Sequence, residues 1–402
     1  MKKIASGLSF LVAALTVSVA DAQTNIICRL NPGVSPTTIA TRYSLTLLDY
    51  TPNAPFAMFS ATDDQTISNM QNDPAIVWLE DDCSVGAPED ESKGKPTKGG
   101  GLPAVGDRTG LQRINGRLLS QIDWNAKVAN SAGRVVRVAI LDTGLAPKQK
   151  ALWAKVDLSM NAVEPNSPAY DIPHNMDSNG NGIKDQAVGH GTMVAGIIDQ
   201  ISPKSRFVIA RVADSDGLAS GWSVIKGLAF AVTSNAEVAN VSLGTLLEVP
   251  ALGDVVDWCL ANNLLIVAPI GNNGAEAACY PSRFESVVCV GGLDVLNHKA
   301  SFSNFNQVCT VSAPAIGFAS QFWDGHLAYW SGTSFASPVV AAVVAESLRH
   351  TSPSAPDTIK AALQTSGPSL DRLNPKYKQK LGVLIDFSRT IKKVGSPGNP
   401  GP

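Results

Sequence analysis

Charge is scarce in this chain of 402 residues. Only 16% of the residues are charged, well under the ~25% of an average domain. The 32 Lys and Arg nearly balance 34 Asp and Glu, for a net charge of -2. Disorder, a coiled coil and a polybasic nucleic-acid binder are all excluded by that balance. Beyond the N-terminus no run reaches ~18 apolar residues, so no membrane span is expected in the mature protein. There is no Cys-x-x-Cys pair, which speaks against a zinc ribbon, and no His-Glu-x-x-His helix, which removes a common zinc-protease signature. The five histidines, His174, His190, His298, His326 and His350, are scattered singly. What the chain does have is apolar residues, 44% of the total, enough for a substantial core.

Length alone points to two or three domains. Residues 1–22 read as a secretory signal peptide: Lys2 and Lys3, an apolar stretch, then Ala20 and Ala22 before Gln23. Export into a medium or a periplasm follows, and with it a compartment where the six cysteines can oxidise. Residues 23–86 alternate as β-α-β-β-α-β, the order of a ferredoxin-like α+β domain. Residues 87–110 are rich in Gly, Pro, Lys and acids and almost free of large apolar groups. They cannot bury enough surface to offset their ordering entropy, and read as an exposed linker open to proteolysis. From 111 to 392, short apolar runs such as Val135–Leu141, Phe207–Val212, Glu237–Leu243, Leu264–Ala268 and Val287–Gly291 are separated by amphipathic helical patterns. That alternation predicts an α/β domain with a doubly wound parallel sheet covered on both faces. Residues 393–402 form a Pro/Gly-rich tail.

In such a sheet, reactive groups collect at the carboxyl ends of the strands. Asp142 ends the run Val135–Leu141 and should face that crevice, although Asp-Thr-Gly can also simply close a turn. His190 is the one histidine framed by glycines, in Gly189-His190-Gly191-Thr192, just ahead of a helical run; a packing histidine would not need that frame. Ser334 lies in Ser331-Gly332-Thr333-Ser334-Phe335-Ala336-Ser337-Pro338, at the start of a buried helix, where small neighbours leave room for a substrate carbonyl and the dipole favours negative charge. Asn272, in Gly271-Asn272-Asn273-Gly274, follows an apolar strand and can donate its amide to a developing oxyanion; the plain alternative is an Asn-Gly turn. Asp177, Asn179, Asn181 and Asp185 stand at alternating positions of an Asp/Asn/Gly loop, with the Ile183 carbonyl as backbone ligand, as in calcium loops. Val188 stands where an EF-hand would carry glutamate, and a solvated turn explains the loop as well.

Taken together, VAILDTG, GHGTMVAG and GTSFASP resemble the subtilisin-like serine proteases in their Asp…His…Ser order. Met193 and Phe335 stand where that family often has His and Met. Pro269-Ile270 replaces its usual alanine pair. Val241-Ser242-Leu243-Gly244 resembles the wall of its first specificity pocket, and residues 23–86 resemble its inhibitor-type prodomain. The resemblance implies a secreted serine endopeptidase made as a zymogen, with Asp142, His190 and Ser334 as triad and Asn272 at the oxyanion. It assigns Ser242, Leu243, Gly244 and Gly271 to substrate binding. It implies polypeptide substrates, the chain's own prodomain as folding aid and inhibitor, a monomer, no cofactor for catalysis and at most structural calcium. Neither a nucleic acid nor a membrane is expected as partner. Two other classes fit parts of the sequence: a catalytically silent peptide-binding module on the same fold, and a calcium-dependent adhesive protein, which leaves the triad unexplained.

The resemblance also pairs Cys279 with Cys309, leaving Cys259 and Cys289 as buried thiols. In the small domain the first and last strands of a ferredoxin-like sheet are antiparallel neighbours. Cys28 is therefore expected to bond Cys83 and staple a small core.

Overall fold

The structure, a computed structural model, describes residues 24–61, 63–86, 97–98, 108–351 and 354–395. The expected signal peptide, most of the expected linker and the end of the tail lie outside the described residues. The chain divides into two compact units. One comprises the chain up to Asp49 and Ala57–Asp81; the other comprises Tyr50–Phe56 and the chain from Asp82 onward.

The first unit follows the predicted order: β1 (Thr24–Leu30), α1 (Pro36–Tyr43), β2 (Thr46–Tyr50), β3 (Phe56–Ala61), α2 (Asp64–Gln71) and β4 (Ile76–Asp81). The sheet order β2-β3-β1-β4 is that of the ferredoxin-like arrangement. Pro36 opens α1 at a position whose N–H would have no partner in the helix. Asp63 caps α2 by accepting from Thr66 N at 2.7 Å. Ile26, Ile39, Phe59 and Met70 are fully buried between sheet and helices, each worth about 1.5–3 kcal/mol. Asp73 ties α1 to the turn before β4, accepting from Tyr43 Oη at 2.8 Å, from Ala75 N at 2.8 Å and from Arg42.

In the second unit the chain runs through β5 (Ser84–Gly86), β6 (Thr97–Lys98), α3 (Arg108–Ile114), α4 (Gly116–Gln121), α5 (Ala126–Asn130), β7 (Arg137–Asp142), α6 (Lys150–Trp153) and β8 (Val156–Asn161). It continues through α7 (His190–Ile201), β9 (Arg206–Arg211), β10 (Leu218–Ser220), α8 (Gly221–Thr233), β11 (Val238–Val241), α9 (Pro250–Ala261) and β12 (Leu265–Pro269). The last elements are β13 (Val288–Leu293), β14 (Val311–Pro314), β15 (Phe318–Gln321), β16 (Leu327–Trp330), α10 (Thr333–Arg349), α11 (Pro356–Ser366), β17 (Val383–Leu384) and α12 (Phe387–Val394).

Eight strands form a parallel sheet in the order β17-β14-β13-β12-β11-β7-β9-β8. Its central strands are buried along their whole length, as continuous Val/Ile/Ala runs require. Side chains alternate across it. Val138 and Ile140 share a core with residues of α7 and α10. Leu141 faces the other way, its Cδ2 3.0 Å from where a Cβ on Gly227 of α8 would stand. The sheet is thus doubly wound, as predicted.

Three expectations are corrected. Ser84–Gly86, assigned from sequence to the small domain, pairs antiparallel with β10 of the second unit. The Cys28–Cys83 bond is not formed. In the β1–β4 ladder Cys28 stands opposite Leu79, inside the strand, whereas Cys83 follows the end of β4. The Cys279–Cys309 bond is not formed either. Cys309 Sγ turns to Cys289, whose carbonyl lies 3.9 Å away, and to Ser312 Oγ at 3.8 Å.

Candidate active site

Asp142, His190, Asn272 and Ser334 meet at the carboxyl end of the parallel sheet. Asp142 is the last residue of β7 and His190 the first of α7, and both are fully buried. His190 Nδ1 and Asp142 Oδ1 are 2.8 Å apart. The same oxygen accepts from Thr143 N at 2.8 Å, which fixes the carboxylate against its own turn. The glycines around His190 are needed for different reasons. Gly189 has φ +91°, and a Cβ there would overlap the Phe322 ring at 2.2 Å. Gly191 lets α7 approach the Asp142 turn, since a Cβ would meet Gly144 O at 2.4 Å. The imidazole is walled by aromatic surface, edge-on to Trp330 at 5.5 Å and tilted against Phe335 at 5.1 Å between ring centroids.

Ser334 is the second residue of α10, buried, and its Oγ has no hydrogen-bond partner. Pro338 sits inside that helix. Lacking an N–H, it leaves the carbonyl four residues back, that of Ser334, without an intrahelical donor. Ser242 Oγ supplies the bond at 2.9 Å. Asn240 Nδ2 in turn donates to Ser242 Oγ at 2.8 Å, and Ser337 Oγ donates to Asn240 Oδ1 at 2.8 Å. A buried polar chain from β11 therefore holds the backbone of the serine.

Asn272 Oδ1 accepts from Thr333 N at 2.9 Å and from Thr333 Oγ at 2.8 Å. With its oxygen committed, the amide presents Nδ2 as a donor beside Ser334. Asn304 supports the same loop, Oδ1 accepting from Asn273 N and Ala275 N at 3.0 Å each.

Leu243 and Gly244 follow β11, and Gly271 (φ +111°) follows β12. Cys279 lies against both glycines. Its Sγ is 2.6 Å from where a Cβ on Gly271 would stand, and its Cβ is 2.9 Å from that of Gly244. Burial pushes its thiol up to about 11. Sequence reasoning cast Cys279 only as a bridge partner and missed this packing. It also missed Asn240, although the Asn lies two residues before Ser242, and Asp171, which lies in a stretch with no periodic signal.

Backbone donors occupy most of the side-chain oxygens of the acidic loop. Asp185 accepts from His174 N, Asn175 N, Met176 N and Ser215 Oγ. Those bonds outweigh its partial desolvation and hold its carboxyl below the usual range. Asp177, Asn179 and Asn181 accept from the N–H groups of Gly182, Asn181 and Ile183 respectively. Among the described residues no group of three or more His, Cys, Asp or Glu side chains converges to hold a metal. Asp177 Oδ1, by contrast, is buried with no hydrogen-bond partner among the described residues.

A doubly wound parallel sheet with this Asp, His and Ser at strand and helix ends defines the subtilisin-like class. The chain belongs to the subtilase family, whose sequence profile matches residues 133–383, more than half its length. It is 27% identical over 299 residues to the minor extracellular protease Epr of Bacillus subtilis, a match covering 72% of this chain and 42% of that protein. It is 31% identical over 222 residues to subtilisin BL of Lederbergia lenta, covering 53% and 76% respectively. The chain thus spans less than half of Epr. Among solved structures, fervidolysin of Fervidobacterium pennivorans, a keratinolytic enzyme related to subtilisin, shares the fold with TM-score 0.71 at 18% identity, over 93% of this chain and 62% of that one. Among the described residues no helix is long and apolar enough to cross a membrane.

Proposed function

We propose that the protein is an exported serine endopeptidase made as a zymogen. The observation that carries this reading is the buried Asp142–His190 hydrogen bond, whose imidazole packs on Phe335, the residue next to a Ser334 hydroxyl that has no hydrogen-bond partner among the described residues. Asp142 holds the imidazole with its Nδ1–H toward the carboxylate and stabilises the imidazolium. His190 takes the Ser334 proton as Oγ attacks the peptide carbonyl, then protonates the leaving amine. Water resolves the acyl-enzyme by the same steps in reverse. The Asn272 amide and the Ser334 N–H hold the oxyanion. Leu243, Gly244 and Gly271 line the way to a substrate side chain, and Ser242 acts from behind by anchoring the Ser334 carbonyl. Export fits the N-terminal 22 residues and the extracellular protease named among the relatives.

The segment after Asp81 supports the zymogen reading. β5 and β10 pair as a two-stranded antiparallel sheet, with Val85 opposite Ala219 and buried. Asp82 Oδ1 accepts from Trp222 N at 2.9 Å at the start of α8. An extended peptide is recognised by pairing with an open strand, so this segment would exclude a substrate strand from β10.

Mass spectrometry of the purified protein, with and without Ser334→Ala, tests the proposal. Wild type should lose its N-terminal region by a cut beyond Gly86, and a fluorophosphonate should label Ser334. Ser334→Ala should stay uncut and unlabelled. A wild-type protein that takes no label would establish the silent peptide-binding module instead.

A further inference from the structure

His190 is gripped from two directions. Asp142 holds its ring, and Asp171, in the loop between β8 and α7, holds its backbone on both sides. Asp171 is buried, 1% exposed. Oδ1 accepts from Gly189 N at 2.8 Å. Oδ2 accepts from Thr192 N at 3.1 Å and from Thr192 Oγ at 2.6 Å. Gly189, the residue capping α7, has no side chain to serve the helix's unpaired N–H groups; a carboxylate from far back in the loop does so instead.

The proton positions follow from the partners. Thr192 Oγ accepts from Ala146 N at 3.0 Å, so its own hydrogen points to Asp171. Each of the three groups facing Asp171 is then a donor. Burial, joined by the nearby charge of Asp142, pushes the Asp171 carboxyl up, while these three bonds favour the anion. Through Thr192 the grip also extends to Ala146 and thus to the turn that follows Asp142.

We propose that Asp171 is a positioning residue for the general base: it fixes the backbone that aims the His190 imidazole at Ser334, and its negative charge supports the imidazolium. The proposal rests on His190 acting as the base. Among the described residues, Asp142 from β7 bonds the His190 ring and Asp171 from the loop bonds the backbone on either side of it. β16 and α10 meet its ring with Trp330 and Phe335. Among the described residues, the other charges at α7 lie at its far end: Asp199 with Lys155 and Arg108, and Glu346 of α10 on the capping Ser202, nine or more residues along the helix or roughly 13 Å and beyond.

The test is the pH dependence of kcat and kcat/KM for Asp171→Asn, Thr192→Val and Thr192→Ser on the full chain. Asn at 171 turns an NH2 toward N–H donors. The expected result is a fall in kcat of about tenfold to a hundredfold with KM little changed. The acid limb of kcat/KM should move to lower pH by roughly half a unit or more, because a negative charge near the imidazolium is gone. Thr192→Val should lower kcat with no such shift, and Thr192→Ser should restore it. A merely structural Asp171 would lower Tm and leave kcat and the acid limb in place; that result overturns the proposal. If Asp171→Asn does not fold, the Thr192 pair decides, and a Val variant as active as wild type refutes it. His190→Ala, run alongside, isolates the underlying reading: undiminished turnover there removes the base, and this proposal with it.

Discussion

Removing the Asn272 amide should separate catalysis from binding. Its Oδ1 is engaged by Thr333 N–H and Oγ–H, so Nδ2 is the group left to meet an oxyanion. Loss of a single such donor lowers kcat by about 10²–10³, or about 2.7–4 kcal/mol of transition-state stabilisation. Asn272→Ala should show that loss with KM changed little, since the donor meets charge that develops only during reaction. A second effect accompanies it. The Thr333 N–H and hydroxyl are buried, and leaving them without an acceptor costs about 1–3 kcal/mol of stability. Two further variants divide these contributions. Thr333→Val keeps Nδ2 and loses one anchor worth about 1 kcal/mol, so kcat should fall about fivefold. Asn272→Asp keeps the acceptor for Thr333 but sets a carboxylate oxygen where the oxyanion forms, so its kcat should fall below that of Asn272→Ala. Initial rates on a chromogenic peptide, with melting curves of each variant, measure both effects. A raised KM at constant kcat for Asn272→Ala, or an Asp variant faster than the Ala variant, would refute the assignment.

Cys279→Gly should widen the space between Gly244 and Gly271, raising kcat/KM for peptides with large side chains before the scissile bond relative to those with alanine; an unchanged ranking across a substrate panel contradicts this. In the first unit, hydrogen bonds to Asp73 from Ala75 N, Arg42 and Tyr43 outweigh its desolvation and hold its carboxyl below the usual range. A depressed folded value means stability that is present above the unfolded pKa of about 3.9 and lost as pH falls through the folded one. Amide exchange in β1 should therefore accelerate below about pH 4 in wild type, with a weaker acid dependence in Asp73→Asn. The calcium expectation turns on Asp177, whose Oδ1 is buried without a partner among the described residues: Tm should rise in calcium over chelator and Asp177→Asn should remove the rise, whereas equal Tm values would show that the loop holds no ion.

Much of this architecture is legible in the chain itself, for physical reasons that also set the limits. The central strands are buried on both faces, so they read as unbroken apolar runs, and their ends differ from expectation by a residue or two. Val135 is an example: apolar, yet 60% exposed and outside β7. β8 escaped notice because it is an edge strand, and Asp157, Ser159 and Asn161 interrupt its apolar pattern. The β15–β16 hairpin and β17 are four residues or fewer per strand, too short for periodicity to mark. Asp142, His190, Asn272 and Ser334 stand out as candidates because glycines and small residues surround them. Asp171 does not, since its partners lie far along the chain and a buried acid leaves no local pattern. The two disulfides failed because pairing depends on register and side-chain direction, and spacing reports neither.

Pro338 has a consequence for when activity can arise. Its missing N–H transfers the Ser334 carbonyl to a donor 92 residues away on the chain. The Asp142–His190 contact spans 48 residues and the Asn272–Thr333 contact 61. The three bonds that bring these segments together are thus non-local, and such contacts form late because loop closure must precede them. A nascent chain with α10 already coiled still lacks the fixed serine backbone, the aimed imidazole and the oriented amide. The proposed hydrolytic competence is therefore a property of the finished sheet, which a half-folded copy lacks.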